Sequence, residues 1–449
     1  MQKTPKKSVY AAGAVLKKEI GFKEAFTIVV GVVIGSGIFF KASPVLDSAG
    51  TPFWAVMAWL LGGLITMAAA LTLAEIGSAI PKTGGVFAYL KELYGEKWAF
   101  LFGWVQTFIY VPGIAAALSI IFATQATFFI PMTDLQQKLL AVGLLIFIAS
   151  VNIISTKLGS RIQFISTVAK MIPIAAIIIF GLMYGVSNEF PSFTGEAAHS
   201  FSITTFGAAI LGTLFAYEGW LSVTNIAGEM KNPHRDLPRS IFVGMSIIIA
   251  AYVLINIAIF SVMSVPDIIS SEKVASEAAV ILFGKGGSII IAIGILVSIF
   301  GTLNGYLMTG VRVPFAMAES KIFPFHHVMG RVDERTKTPI NVFIFETVLT
   351  IVYIFSGTFE NLSTLAIFVT WIFFVMAVYG VFILRKKHKH LTPSYRVPFY
   401  PYVPLLGIIG GVYILVSTLV TETLYTMIGI GITAIGYPVY VYLKKSQSK

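Results

Sequence analysis

Phe26-Thr27-Ile28-Val29-Val30-Gly31-Val32-Val33-Ile34-Gly35-Ser36-Gly37-Ile38-Phe39-Phe40 reads as an apolar helix with a Gly-Ser-Gly triplet inside it. Gly is the poorest helix former after Pro, and two of them around one Ser invite the backbone to open. The flanks are apolar enough to sit in lipid, where an unpaired N–H or C=O is expensive. Opened backbone is tolerated at that depth beside a cavity or a polar ligand. The triplet therefore reads as half of a binding site inside a membrane.

The composition agrees with a lipid setting. Of 449 residues, 56% are hydrophobic and 12% charged, and the mean hydropathy is +0.85; soluble globular chains carry about 25% charged residues. Twelve apolar spans approach the roughly 20 residues that a helix needs to cross hydrocarbon. They lie near 22–40, 52–80, 97–125, 137–156, 162–184, 204–228, 240–264, 285–311, 339–356, 361–384, 401–419 and 423–443. The expected fold is all-α and polytopic, with 12 transmembrane helices, the long second one tilted.

Lys and Arg orient these spans. One set of alternating loops holds 27 of them, including Lys3, Lys6, Lys7 and Lys17 before the first span, Lys157, Arg161, Arg331, Arg335, Lys337, and Arg385 to Lys389. The other set holds four: Lys41, Lys138, Lys273 and Lys285. The positive-inside rule then places both termini in the cytoplasm. The net charge of +11 is thus an orientation signal and no argument for nucleic acid. Cys is absent, which excludes disulfides and thiolate metal sites. No HExxH and no Gly-rich phosphate loop occurs, so neither an enzyme nor a cofactor is expected. His326, His327, His388 and His390 stand beside basic loop residues as solvated groups rather than metal ligands.

A second interruption, Phe215-Ala216-Tyr217-Glu218-Gly219-Trp220, falls in the sixth span. Breaks at matching places in two halves point to a transporter site. Five spans separate them, so the halves would be inverted: residues 22–184 and 204–384 form the repeats and 401–443 lies outside them. Segments 1–21 and 444–449 are the cytoplasmic ends. At the first break, Val33 and Ile34 would leave free carbonyls, and Ser36, Gly37 and Ile38 free amides. The amide end suits an anion and the carbonyl end a cation. With carbonyls from about Thr213–Ala216, this makes a slot for a zwitterion such as an α-amino acid. Lys170 lies roughly 13 Å into the fifth span at 1.5 Å per residue, too deep for comfortable snorkelling. The carbonyl end of the first half-helix could receive it, in the place of a transported cation. Glu218 stands in the second break; Glu75 reads as reaching the interface, and Glu346 as a lipid-averted structural group. Tyr110, Gln106, Tyr252, Ser298 and Asn304 are further polar groups within spans.

On these residues the chain resembles the amino acid–polyamine–organocation superfamily, and within it the L-type amino acid transporters, especially bacterial exchangers of alanine, serine, cysteine or threonine. The blocks that carry the likeness are Val29 to Phe39, Ala74-Glu75-Ile76-Gly77 with Pro81-Lys82-Thr83-Gly84-Gly85, Phe215 to Trp220, and Gly228-Glu229-Met230-Lys231-Asn232-Pro233. The resemblance implies a LeuT-like fold with a five-plus-five inverted repeat, broken helices 1 and 6, alternating access, and sodium-independent antiport of small neutral L-amino acids across a plasma membrane, that of a bacterial cell. It implies substrate contacts at Val33, Ile34, Gly35, Ser36, Gly37, Ile38, Phe215, Ala216, Tyr217 and Glu218, with Phe215 as an outer gate. Lys170, with Tyr252 and Ser298, would stand in for sodium. Animal members are often linked to a heavy subunit through a Cys after span 3; the loop 126–136 has none, so no such partner is expected. Glu218 replaces the Gly of large-substrate members, and its bulk favours small side chains. A proton-coupled symporter using Glu75, Glu218 or Glu346 is the alternative, and a non-transporting amino acid sensor a more distant one.

Overall fold

The computed structural model describes residues 18–188, 200–271, 273–388, 390–391, 393–421 and 423–447. Lys3, Lys6, Lys7, Lys17, Lys389 and Lys449, which helped to orient the spans, lie outside them. The described residues are helical, without a strand; an isolated bridge joins Ile20 to Met230.

In chain order the helices are α1 (Phe22–Val33), α2 (Gly37–Phe40), α3 (Ala42–Ala49), α4 (Pro52–Ala79), α5 (Val86–Tyr94), α6 (Glu96–Val105), α7 (Val111–Ala126), α8 (Asp134–Ile154) and α9 (Thr156–Ser187). Then follow α10 (Ile203–Ala216), α11 (Ser222–Asn225), α12 (Pro233–Phe260), α13 (Val265–Ser270), α14 (Val274–Gly310) and α15 (Arg312–Glu319). The last are α16 (His326–Met329), α17 (Ile340–Ser356), α18 (Phe359–Lys387), α19 (Tyr402–Thr421) and α20 (Thr423–Gln447). Among the described residues, ten spans are long and apolar enough to cross a membrane; Thr205–Ala216 and Ile340–Ser356 are shorter apolar helices at the sixth and ninth expected positions. This is a multi-pass membrane protein.

Capping explains where several helices start. Thr51 and Ser155 accept N–H bonds from Trp54 and Leu158, and Pro stands in the first turn of α4 and α12. The Ser155 cap starts α9 at Thr156, ahead of the expected 162, and Pro233 starts α12 ahead of the expected 240. The sixth expected span, 204–228, holds one continuous helix only to Ala216. The span expected at 285–311 begins at Val274, with a kink at Gly284, whose φ is 67°. A π turn, Gln106–Tyr110, joins α6 to α7 and re-aims Tyr110.

The interrupted first helix is central: 78% of the apolar window in Phe22–Phe40 is buried, against 22% in Thr423–Lys445. It packs against α9, α12 and α14. Side chains such as Ile146, Phe147, Ile172, Ile179 and Met183 point outward from α8 and α9, where lipid replaces water.

Glu75 departs from expectation. Its side chain does not reach an interface but is fully buried, accepting Arg385 Nε at 2.8 Å, Arg385 Nη2 at 2.7 Å and the Val397 amide at 2.7 Å. It ties the end of α4 to the end of α18 and to the segment beyond it. Removing one partner of a buried pair costs about 3–5 kcal/mol. Glu75→Ala is therefore expected to lower the thermal unfolding midpoint of the purified protein markedly. Lys82→Ala, which breaks a surface pair with Glu92, is expected to leave it nearly unchanged.

Candidate functional site

Between α1 and α2 the helix opens at Ile34, Gly35 and Ser36. Between α10 and α11 the chain turns through Tyr217–Leu221, with Gly219 at φ 102°. A Cβ at Gly219 would also meet Val32 Cγ1 at 2.8 Å and the Tyr306 hydroxyl at 2.9 Å, so both backbone and space require glycine there. The breaks touch: a Cβ on Gly37 would lie 2.7 Å from Ala216 Cα.

A small hollow of about 30 Å³ lies against this contact, bounded by Val33, Gly35, Ser36, Gly37, Phe215, Ala216 and Glu218 from the breaks. Ile114, Ala117 and Leu118 of α7 supply an apolar wall, and Thr302 and Tyr306 of α14 close the remaining side. The amides of Gly35, Ser36, Gly37 and Ile38 find no acceptor among the described residues. Successive free N–H groups at the start of a half-helix can hold an anion.

The carbonyl end is filled. Lys170 is fully buried, and its Nζ donates to Gly31 O at 2.8 Å, to Ile34 O at 2.5 Å and to Thr302 Oγ1 at 3.1 Å. Thr302 Oγ1 also contacts Gly31 O and Ile34 O, while Ser298 Oγ donates to Ile34 O at 3.3 Å. The Tyr252 hydroxyl lies 2.9 Å from both Val33 O and Ala216 O, one carbonyl from each break. Phe215 O accepts the Glu218 amide and Thr213 O that of Tyr217. The second break thus offers fewer bare carbonyls than the Thr213–Ala216 reading expected, because the turn uses two of them itself.

Glu218 lines the hollow. Its Oε1 accepts the Tyr110 hydroxyl at 2.9 Å, and the Tyr110 and Tyr306 hydroxyls are 3.4 Å apart. Its Oε2 has no partner among the described residues. Lys41 Nζ, just after α2, sits 4.8 Å above the Phe215 ring. Of the residues expected to touch substrate, Tyr217 turns away: its hydroxyl donates to Trp59 O of α4 at 2.9 Å. Ile34 and Ile38 are buried outside the hollow, and Lys170, Tyr252 and Ser298 stand behind its wall. Thr302 and Tyr306 escaped the sequence reading, although they follow Ser298 at four-residue steps on one helical face. Glu346 is buried, with neither carboxyl oxygen partnered among the described residues, and lies outside this cluster.

Comparison with known proteins places this geometry. The amino acid permease family matches residues 20–438. The serine/threonine exchanger SteT of Bacillus subtilis is 43% identical over 434 residues, covering 96% of this chain and 98% of that one. The mouse b(0,+)-type amino acid transporter 1 is 30% identical, covering 96% and 89%. The rabbit large neutral amino acids transporter small subunit 2 is 31% identical, covering 97% and 82%.

The contact of Gly37 with Ala216 backbone yields a direct check. Gly37→Ala must push the two breaks apart, and overpacking of this kind costs about 1–3 kcal/mol. Its thermal midpoint is expected to fall, whereas Gly143→Ala, with open space around it, should leave the midpoint unchanged or raise it.

Proposed function

The chain belongs to the amino acid permease family, and from that premise we propose that it exchanges small neutral L-amino acids of the alanine, serine, cysteine and threonine type without sodium. The proposed architecture has 12 transmembrane helices, a five-plus-five inverted repeat of LeuT-like form and cytoplasmic termini. Movement is by alternating access. No heavy subunit, metal or cofactor takes part.

The observation that carries this reading is the Lys170 ammonium on the carbonyls of Gly31 and Ile34. A cation held by the chain itself occupies the negative end of the half-helix, where a transported ion would otherwise compensate those carbonyls. The unfilled amides of Gly35 to Ile38 take the substrate carboxylate. The ammonium group lies toward the Phe215–Ala216 carbonyls, and Glu218 limits the side chain. Phe215, under Lys41, closes the outer side. An amino acid completes the hydrogen bonding of both breaks and so permits the rocking step; an empty site leaves groups bare and resists it. Exchange then becomes obligatory. Identity to an exchanger named for serine and threonine supports the substrate class.

Proteoliposomes separate this from proton symport. Labelled serine is expected to enter vesicles preloaded with unlabelled alanine or serine and to stay out of empty ones; uptake into empty vesicles driven by a pH gradient would overturn exchange, and binding without flux would mark a sensor. Lys170→Ala leaves buried carbonyls unsatisfied at about 1–3 kcal/mol each, so exchange should drop by roughly ten- to a hundredfold. Unchanged kinetics would end the role given to Lys170. Glu218→Gly should admit leucine or phenylalanine as competitors where the parent protein does not.

A further inference from the structure

A second hollow, far wider at about 820 Å³, lies where the start of α1, the start of α9, the residues after α11 and the loop before α17 meet. Six cations face it: Lys23, Lys157, Arg161, Lys231, Arg335 and Lys337. None of them forms an ion pair with a described residue. Three carboxylates share the space, but Glu229 is committed to Arg312, at 2.9 and 3.3 Å, and Glu24 accepts the Gly21 amide. Glu19 has a contact of its own. Asp333 also draws on Arg335 from the loop behind it, yet six cations against these few carboxylates leave the vestibule with net positive charge, drawn from four separate chain segments.

Part of that surplus sits on a fixed support. Asp333 Oδ1 accepts the Arg335 amide at 3.0 Å, the Thr336 amide at 2.8 Å and the Thr336 hydroxyl at 3.1 Å. The Lys337 amide donates to Asp333 O, and the Asp333 amide to Thr338 O. Arg335 and Lys337 are thus carried on a closed loop. Thr156 and Ser160 add hydroxyls at the start of α9. Ile165 on α9 lines the hollow and is exposed, and Ile154 and Leu158, next in sequence to its lining residues Ser155 and Lys157, are exposed apolar side chains as well.

Several cations around one wide opening suit an anion with several oxygens and more than a single charge, and apolar residues beside it suit an acyl chain. We propose that this vestibule binds a phosphate group, of the chemistry carried by an anionic phospholipid headgroup. Bound there, the phosphate bridges α1 to α9 beside the Lys23 ammonium, which already rests 4.2 Å over the Phe164 ring. The site is separate from the central hollow and independent of what the protein transports.

The test uses the full chain in detergent, probed with phosphatidylglycerol, phosphatidylcholine and inorganic phosphate, reading retained lipid by mass spectrometry and the thermal midpoint in parallel. Phosphatidylglycerol should be retained and raise the midpoint, and phosphatidylcholine should do neither. Each charge removed should weaken retention about fivefold, so Lys337→Gln alone loses about fivefold and Arg161→Gln/Arg335→Gln/Lys337→Gln roughly a hundredfold. Lys386→Gln/Lys387→Gln, which removes exposed charge at the end of α18, should retain lipid as the parent does. Displacement of the lipid by inorganic phosphate supports the site with a lipid source; stabilisation by inorganic phosphate alone supports it with a soluble one. Equal retention of the two lipids without a phosphate effect, or equal losses in the vestibule and control variants, would overturn the proposal. Lys337→Gln serves if the triple variant does not fold.

Discussion

Opening a helix inside hydrocarbon strands peptide groups that water cannot reach, and the arrangement around Ile34 is built to meet that cost. Lys170, Ser298 and Thr302 come from two helices and converge on the carbonyls that α1 leaves behind. Without them the α1–α2 break would hold several unpaired acceptors, each costing roughly a kcal/mol or more. The amide side is left open. That asymmetry gives the hollow a direction: the chain supplies a cation to the carbonyl end, while the amide end keeps donors able to hold an anion.

The same logic governs the polar groups packed deeper in the bundle. Asn152, Asn304 and Gln163 form a chain of hydrogen bonds across α8, α14 and α9. Glu229 and Arg312 form another link, between the residues after α11 and the start of α15. The Ile20 amide donates to Glu229 O, and the Lys231 amide to Ile20 O, which fastens the entrance of α1 to the same place. In a bilayer apolar contact distinguishes poorly between a neighbouring helix and lipid, so such polar links carry much of the specificity of packing.

Much of this was legible in the residues. Helical, multi-pass character follows from apolar length alone; the Gly35-Ser36-Gly37 stretch stands out because two glycines flank one serine, and Phe215–Trp220 because a carboxylate is rare in lipid-depth helices. The depth of Lys170 could be counted along its span. What stayed hidden depended on partners distant in sequence. Glu75 looked interfacial because nothing near it announces Arg385, 310 residues away. Thr302 and Tyr306 read as ordinary helix residues until α14 is set beside α1. Tyr217 was drawn into the site by its neighbours in sequence, whereas the turn at Gly219 aims its ring at α4.

Tyr252 has one hydroxyl hydrogen for two carbonyls, Val33 O and Ala216 O. At any instant one acceptor is served and the other waits. A small rotation of the O–H transfers the bond between the two interrupted helices at little energetic difference. The phenol is therefore a shared fastener between the two interruptions: parting Val33 O from Ala216 O leaves one of them without its claim on that single proton.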